Sequence, residues 1–62
     1  MSSTAIKCPC CGQTNVGDYE ICTVCGWEND PVQARHPATA RGANQMTLNE
    51  AKAAFSAGKP VS

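Results

Sequence analysis

The 62-residue sequence predicts a small, metal-stabilised α+β fold, and three observations support this class. The chain is too short to bury a large apolar core without a metal, a disulfide or a partner. Two C-x-x-C-G repeats lie in its first half, and one strong helix signal lies near its end. These features predict a zinc ribbon with rubredoxin-like knuckles and one C-terminal helix, in a single domain spanning residues 1–62. Its expected parts are the ribbon over 1–30, a loop over 31–45 and a capping helix over 46–58.

The charge distribution is uneven, although the formal net charge is zero. Residues 1–30 carry one lysine against four acidic residues, a net charge of −3. Residues 31–62 carry four basic residues against one acidic residue, a net charge of +3. Because affinity for phosphate backbones comes from clustered cations, the acidic, cysteine-bearing half disfavours nucleic acid as a partner.

No apolar run resembles a signal peptide or approaches the length of a membrane span. We therefore expect a cytoplasmic protein without a membrane span. Thiols stay reduced in the cytoplasm, where clustered cysteines hold metal more often than they form disulfides. The odd number of cysteines, five, also argues against a closed disulfide framework.

The spacing of the cysteines predicts one four-sulfur metal site. Two residues separate the cysteines of each pair, and ten residues separate the pairs. A two-residue spacer lets the backbone curl so that both sulfurs reach one ion at about 2.3 Å. A glycine follows each pair and permits a positive φ, so nearby amides can point at the thiolates. The predicted ligands are Cys8, Cys11, Cys22 and Cys25.

Cys10 is the spare thiol, because it lies too close to Cys8 to form the same knuckle and no glycine follows it. One interpretation is a redox-sensing or exchange thiol beside the metal. The other is a small apolar filler under the docked helix. A neighbouring anionic metal site should raise the pKa of Cys10 and reduce its thiolate fraction. The filler interpretation is therefore favoured.

Zinc is the predicted metal, with rubredoxin-like iron as the alternative. Rubredoxins set their knuckles farther apart and enclose them in an aromatic core that this chain lacks. Four cysteine ligands leave no coordination position for water or substrate, so the zinc should be structural. No phosphate loop, nucleophile motif or triad is recognisable, and we expect no enzymatic activity. Zinc binding and folding should be coupled.

The segment "MTLNEAKAAFSAGKP" carries the strongest helix signal. Thr47 and Glu50 have the spacing of a capping box, and Gly58 with the following proline supplies a stop. A helix of this length is marginal alone in water and must dock. The predicted docking face comprises Leu48, Ala51 and Phe55.

The remaining features are interpreted as structural. We expect short antiparallel strands near residues 5–7 and 19–21, and a solvated His36. Trp27 should cover the metal site and pack on the helix against Phe55. The four acidic residues of the first half should lie on the surface or pair with Arg35 and Arg41.

Three blocks resemble the cysteine-rich CPCC family of small bacterial proteins. They are "CPCCG", "YEICTVCGWEND" and "GANQMTLNEAKAAF", and together they cover about residues 8–58. The chain departs from the family pattern at Ala54, where an asparagine is common. The resemblance implies zinc binding and a compact ribbon-plus-helix module, and it implies no settled activity. It also places Cys10 and the G-A-N turn within the family's pattern.

The favoured function is a non-catalytic, zinc-binding protein–protein interaction module. It would present the loop 31–45 and the helix surface to a partner, as an accessory subunit of a larger assembly. One alternative is a nucleic-acid-binding zinc ribbon that uses Arg35, Arg41, Lys52 and Lys59. A second alternative is a redox protein, with either a rubredoxin-like iron site or a Cys10 thiol switch.

Overall fold

The computed structural model describes residues 5–61 and has a small α+β architecture. The predicted domain ends, residues 1–4 and 62, lie outside the described residues. Two short strands form an antiparallel sheet in which Ile6 pairs with Val16. Two helices follow the sheet along the chain. The elements are β1 (Ile6–Lys7), β2 (Asn15–Val16), α1 (Pro31–Arg35) and α2 (Leu48–Ser56).

A second ribbon forms around an isolated antiparallel bridge between Ile21 and Glu28. The Asn29 N–H donates to the Glu20 carbonyl at a distance of 2.9 Å. The Cys22 N–H donates to the Trp27 carbonyl at the same distance. The predicted strand at residues 19–21 is therefore reduced to a single bridge with its flanking hydrogen bonds. This ribbon leads the chain into and out of the second cysteine pair.

Helix α1 lies within residues 31–45, so the prediction of a continuous loop over this segment is wrong at its start. Asp30 caps the helix, accepting the Val32 N–H at 2.8 Å and the Gln33 N–H at 3.3 Å. Pro31 occupies the first turn, where its fixed φ suits a helix start and its missing N–H removes no bond. The Asp30-Pro31 dipeptide is the signal that could have identified α1. Asp30 is buried, which corrects the expectation of a surface carboxylate.

Helix α2 confirms the predicted capping box. The Glu50 N–H donates to the Thr47 hydroxyl oxygen at 3.0 Å, and the Thr47 N–H donates to a Glu50 carboxylate oxygen at 2.8 Å. Beyond the helix, Gly58 adopts φ +73. This left-handed conformation favours glycine and turns the chain so that the Lys59 N–H reaches the Ala54 carbonyl at 2.7 Å.

The core is one cluster of apolar side chains around Trp27, which is 0% exposed. Phe55 remains 36% exposed and is not a member of this buried cluster, so the predicted docking face of Leu48, Ala51 and Phe55 is wrong at Phe55. Leu48 and Ala51 are buried, and Ala54 packs against the cluster from the next turn of the helix. The buried cluster is Cys8, Val16, Cys22, Trp27, Leu48, Ala51 and Val61.

A buried polar network joins α1 to the G-A-N turn. Gln33 is fully buried, and its Nε2 donates to the carbonyls of Thr39, Asn44 and Met46. Its Oε1 accepts from the backbone N–H of Asn44 at 3.1 Å and from Asn44 Nδ2 at 2.9 Å. The Ala43 N–H donates to the second carboxylate oxygen of the α1 cap at 2.9 Å. The network fixes the course of the chain between the two helices.

Across residues 5–61, no helix has the length and apolar character needed to cross a membrane.

Candidate metal centre

Two similar tight turns present the cysteines. In the first turn, the Gly12 N–H donates to the Cys8 carbonyl at 2.8 Å. In the second, the Gly26 N–H donates to the Cys22 carbonyl at 2.9 Å. Both glycines have positive φ, +70 and +90, as the repeated C-x-x-C-G pattern predicts. Each turn thereby directs its two cysteines toward the other turn.

The four predicted ligand sulfurs come together in one cluster. The Sγ atoms of Cys8 and Cys25 are 3.6 Å apart, and those of Cys11 and Cys22 are 3.7 Å apart. All four sulfurs lie within 4.8 Å of one another. Four sulfurs at about 2.3 Å from a tetrahedral ion would be separated by about 3.8 Å. The donor set and its spacing therefore fit a tetrahedral metal ion.

Within the described part of the chain, hydrogen-bond donors lie next to three of the four sulfurs. The Gln13 N–H points to Cys11 Sγ at 3.5 Å, and the Trp27 N–H points to Cys25 Sγ at 3.4 Å. The Val24 N–H points to Cys22 Sγ at 3.4 Å. Such donors stabilise negative charge on sulfur and orient the ligands.

Cys22 has the strongest set of donors, because the Thr14 hydroxyl also lies 3.1 Å from its Sγ. Burial opposes ionisation of this thiol, but hydrogen bonds from Thr14 and from the amides of Cys25 and Val24 outweigh it and lower the pKa of Cys22 to about 6. Thr14 contributes to the site from outside the cysteine motif. This contact has no signal in the sequence, since no local pattern joins a threonine to a thiol eight residues later.

The pKa of Cys25 shifts in the opposite direction to that of Cys22. Burial raises the pKa of the Cys25 thiol, and its contacts with Cys8 and Cys22 raise it further, despite the hydrogen bond from the Trp27 amide. Burial also raises the pKa of Cys11. A bound cation would reverse this tendency, because metal coordination favours the thiolate form of cysteine.

Cys10 lies outside the four-sulfur cluster and packs, half-buried, against the core. Burial is the largest cause that raises the pKa of Cys10, and the charges of Cys8, Cys11 and Cys22 contribute in the same direction. The direction agrees with the expectation, but the neighbouring sulfurs are not its main cause. A half-buried thiol packed on the core is the arrangement expected of a filler.

The other candidate residues do not join this cluster. Among residues 5–61, the four cysteines form the one group of three or more potential metal ligands whose ligand atoms lie close together. His36 is exposed at the end of α1, where its N–H donates to the Val32 carbonyl at 2.9 Å. The four cations proposed for nucleic-acid binding are also exposed: Arg35, Arg41, Lys52 and Lys59.

A comparison with protein-family models supports the resemblance seen in the sequence. The model described as Cysteine-rich CPCC matches residues 6–58. No curated protein matches the chain significantly. The matched region contains both cysteine turns, the G-A-N turn and α2, and it covers most of the 62-residue chain. The protein therefore belongs to the cysteine-rich CPCC family.

Proposed function

We propose that the protein is a non-catalytic zinc ribbon that docks on another protein as an accessory subunit of a larger assembly. The four-sulfur cluster carries this proposal. Cys8, Cys11, Cys22 and Cys25 supply a complete tetrahedral set, so a bound zinc ion has no open position at which to activate water or substrate. The ion then acts as a structural crosslink between the two cysteine turns.

The chemistry of the donors supports zinc. Thiolates are soft ligands, and sites with four cysteines in paired C-x-x-C turns are typical of structural zinc. The amide and hydroxyl donors around the sulfurs offset part of the formal −2 charge that four thiolates and one Zn²⁺ carry together. Because iron also accepts four thiolates, metal analysis of protein from its source cells must distinguish the two.

The exposed apolar side chains support docking on a protein. A chain that buries only a small core nevertheless leaves several large hydrophobic side chains in solvent. Singly exposed apolar residues are ordinary, but a protein partner that covers several of them gains the free energy of apolar burial. These exposed residues are Ile6, Tyr19, Ile21, Val24, Val32 and Phe55.

The test is native mass spectrometry of the protein purified directly from its source cells. One zinc ion together with a stoichiometric protein partner is the expected result. One zinc ion on a lone monomer would overturn the accessory-subunit role, and steeply salt-dependent binding to DNA or RNA would then favour the nucleic-acid alternative. One iron ion would favour electron transfer instead.

A matched pair of variants tests the ligand assignment. Cys22→Ser removes a proposed ligand and should abolish stoichiometric zinc binding. Cys10→Ser makes the same chemical change at the spare thiol and should retain one zinc ion. Equal zinc loss in both variants would contradict the proposed ligand set.

A further inference from the structure

The ribbon around the second cysteine turn has one backbone edge that is open. Ile21 and Glu28 form an antiparallel pair whose hydrogen bonds are made by their neighbours: Asn29 donates to Glu20, and Cys22 donates to Trp27. In such a pair, the N–H and C=O of both central residues point away from the ribbon. Among residues 5–61, no hydrogen-bond partner reaches the N–H or C=O of Ile21. We call these two outward-facing groups the Ile21 edge.

The opposite edge of the ribbon is closed by a side chain. Asn44 Oδ1 accepts the Glu28 N–H at 3.0 Å, and Asn44 Nδ2 donates to the Glu28 carbonyl at 2.7 Å. The amide group therefore makes the two hydrogen bonds that an added strand would make there. This leaves the Ile21 edge as the side of the bridge that can accept another strand.

The side chains along the Ile21 edge are apolar and exposed. Ile21 is 59% exposed, Tyr19 is 57% exposed, and Val24 is exposed as well. Tyr19 also has φ +60, an uncommon backbone conformation for a residue other than glycine, while its N–H bonds to the Asn29 carbonyl at 2.7 Å. An exposed, apolar, unpaired edge is the feature to which extended peptides add as a further strand.

The charge next to the edge selects the kind of peptide. Glu28 faces Ile21 across the bridge, and in a pair of this type the two side chains lie on the same face at close distance. Glu20 adjoins Ile21 in the chain and uses one carboxylate oxygen to accept the Gly17 N–H at 2.7 Å, a neutral donor that leaves its charge in place. The nearby four-thiolate zinc site would add a formal −2. A basic peptide is therefore complementary to this surface.

We propose that the Ile21 edge binds an extended segment of a partner protein that alternates apolar and basic residues. The inference rests on the proposed docking function and specifies its surface, which lies in the ribbon and not in the segment 31–45 or α2. The segment would add as a third strand and exchange two main-chain hydrogen bonds with Ile21. Its basic side chains would share the face of Ile21 and Glu28, with their aliphatic stems over Ile21 and their charges toward Glu28, and its apolar side chains would lie on the opposite face. Two other occupants are disfavoured by charge, since nucleic acid and the same acidic edge of a second copy would both be repelled.

The test is a titration of the isotope-labelled, zinc-loaded protein with a designed probe, monitored by amide chemical shifts and hydrogen exchange. The probe is an acetylated, amidated heptapeptide of alternating lysine and valine. The largest shifts should fall on residues 19–24 and Glu28, and exchange of the Ile21 amide should slow in the complex. The same peptide N-methylated at its central residue should bind roughly tenfold more weakly, because one main-chain hydrogen bond is lost.

Charge and side-chain controls complete the test. A glutamate–valine heptapeptide should not bind, and Glu28→Gln should weaken binding of the lysine peptide. Ile21→Ser should weaken it as well, whereas Val32→Ser, which removes a similarly exposed apolar group from α1, should not. The chemical-shift spectra of all variants establish that each is folded before binding is compared.

Four results would overturn the inference. Equal binding of the lysine and glutamate peptides would show that charge does not select the peptide. No perturbation by either peptide would show that the Ile21 edge does not bind an extended segment. Concentration-dependent shifts at Ile21 without peptide would assign the edge to a second copy of the chain. Shifts centred on residues 31–58 would reject this surface but leave docking on a protein intact, so the proposed function and this inference fail separately.

Discussion

The Asn44 side-chain amide forms two hydrogen bonds with the backbone of Glu28, one through its oxygen at 3.0 Å and one through its nitrogen at 2.7 Å. Its nitrogen also donates to Gln33 Oε1 at 2.9 Å. One buried side chain therefore joins the ribbon around the Ile21–Glu28 bridge to α1. The G-A-N turn, which the family resemblance includes without giving it a role, has a physical function, because it carries this amide into the core.

Asn44→Asp should destabilise the protein strongly. The carboxylate keeps the size of the side chain but loses the N–H groups that satisfy the Glu28 carbonyl and Gln33 Oε1, and it adds a buried charge. Both acceptors keep one donor, the Asp30 N–H for the Glu28 carbonyl and the backbone N–H of residue 44 for Gln33 Oε1. Two lost hydrogen bonds at about 0.5–1.5 kcal/mol each, together with a buried charge that has no cationic partner, should therefore cost about 2–4 kcal/mol. Denaturant unfolding of the zinc-loaded protein measures this loss. Asn49→Asp, on the exposed face of α2, is the control and should unfold like the parent; a loss shared by both variants would contradict the role of Asn44.

Gly42→Ala should also destabilise the fold, and the reason is space. A Cβ at Gly42 would lie 2.5 Å from Asp30 Oδ2 and 2.9 Å from Gln33 Cδ, two buried groups that are fixed by the polar network. Overpacking of this kind costs about 1–3 kcal/mol.

Gly17→Ala is the matched control for this substitution. Its Cβ would meet Glu20 Oε1 at 3.6 Å, an ordinary van der Waals contact. Thermal unfolding should therefore separate the two variants by several degrees. If Gly42→Ala unfolds at the temperature of Gly17→Ala, then the side chains around Asp30 shift to accommodate the added Cβ and the close contact does not lower stability.

The local patterns of the sequence predicted the parts of the molecule that depend on short-range geometry. The C-x-x-C-G repeats identified the four clustered sulfurs and excluded Cys10, since two residues and a glycine are enough to specify each turn. The capping box likewise located the start of α2, because Thr47 and Glu50 bond each other within one helical turn.

The long-range contacts could not be predicted in this way. Gln33 is polar and lies in a segment without periodicity, yet it is fully buried because partners eleven and thirteen residues away satisfy its amide. Val61 lies beyond the predicted helix, yet it enters the core once the chain has turned at Gly58. Ala54 and Val61 pack against the core from α2 and the segment after it, while Phe55 stays partly in solvent.

Thr14→Val should weaken zinc binding and raise the pH at which zinc is released. The Thr14 hydroxyl contributes to the lowered pKa of Cys22, which is about 6. Without this donor the pKa of Cys22 rises, so protons displace the metal from this thiolate at a higher pH than in the parent. Removal of a partner that orients a metal ligand reduces affinity by roughly tenfold or more.

Zinc competition with a chromophoric chelator, repeated over a pH series, measures both effects of Thr14→Val. Thr23→Val is the control, because it makes the same chemical change on an exposed side chain inside the second cysteine turn. Its zinc affinity and release midpoint should match those of the parent. Unchanged release in Thr14→Val would show that the amide donors alone stabilise the Cys22 thiolate.

Removal of the metal should unfold the chain. The described core holds seven buried apolar residues, two of which, Cys8 and Cys22, are proposed ligands whose positions depend on the ion. Structural zinc contributes about 10–16 kcal/mol of apparent binding free energy, whereas the net stability of a small domain is about 5–15 kcal/mol. The free energy lost with the zinc should therefore exceed the stability that the remaining contacts supply.

Chelation followed by circular dichroism and amide chemical-shift dispersion measures the result, with re-addition of zinc as the control for reversibility. A metal-free sample that keeps the dispersed amide spectrum, including that of buried Val16, would show instead that the Gln33–Asn44 network and the Trp27 core hold the fold without the ion.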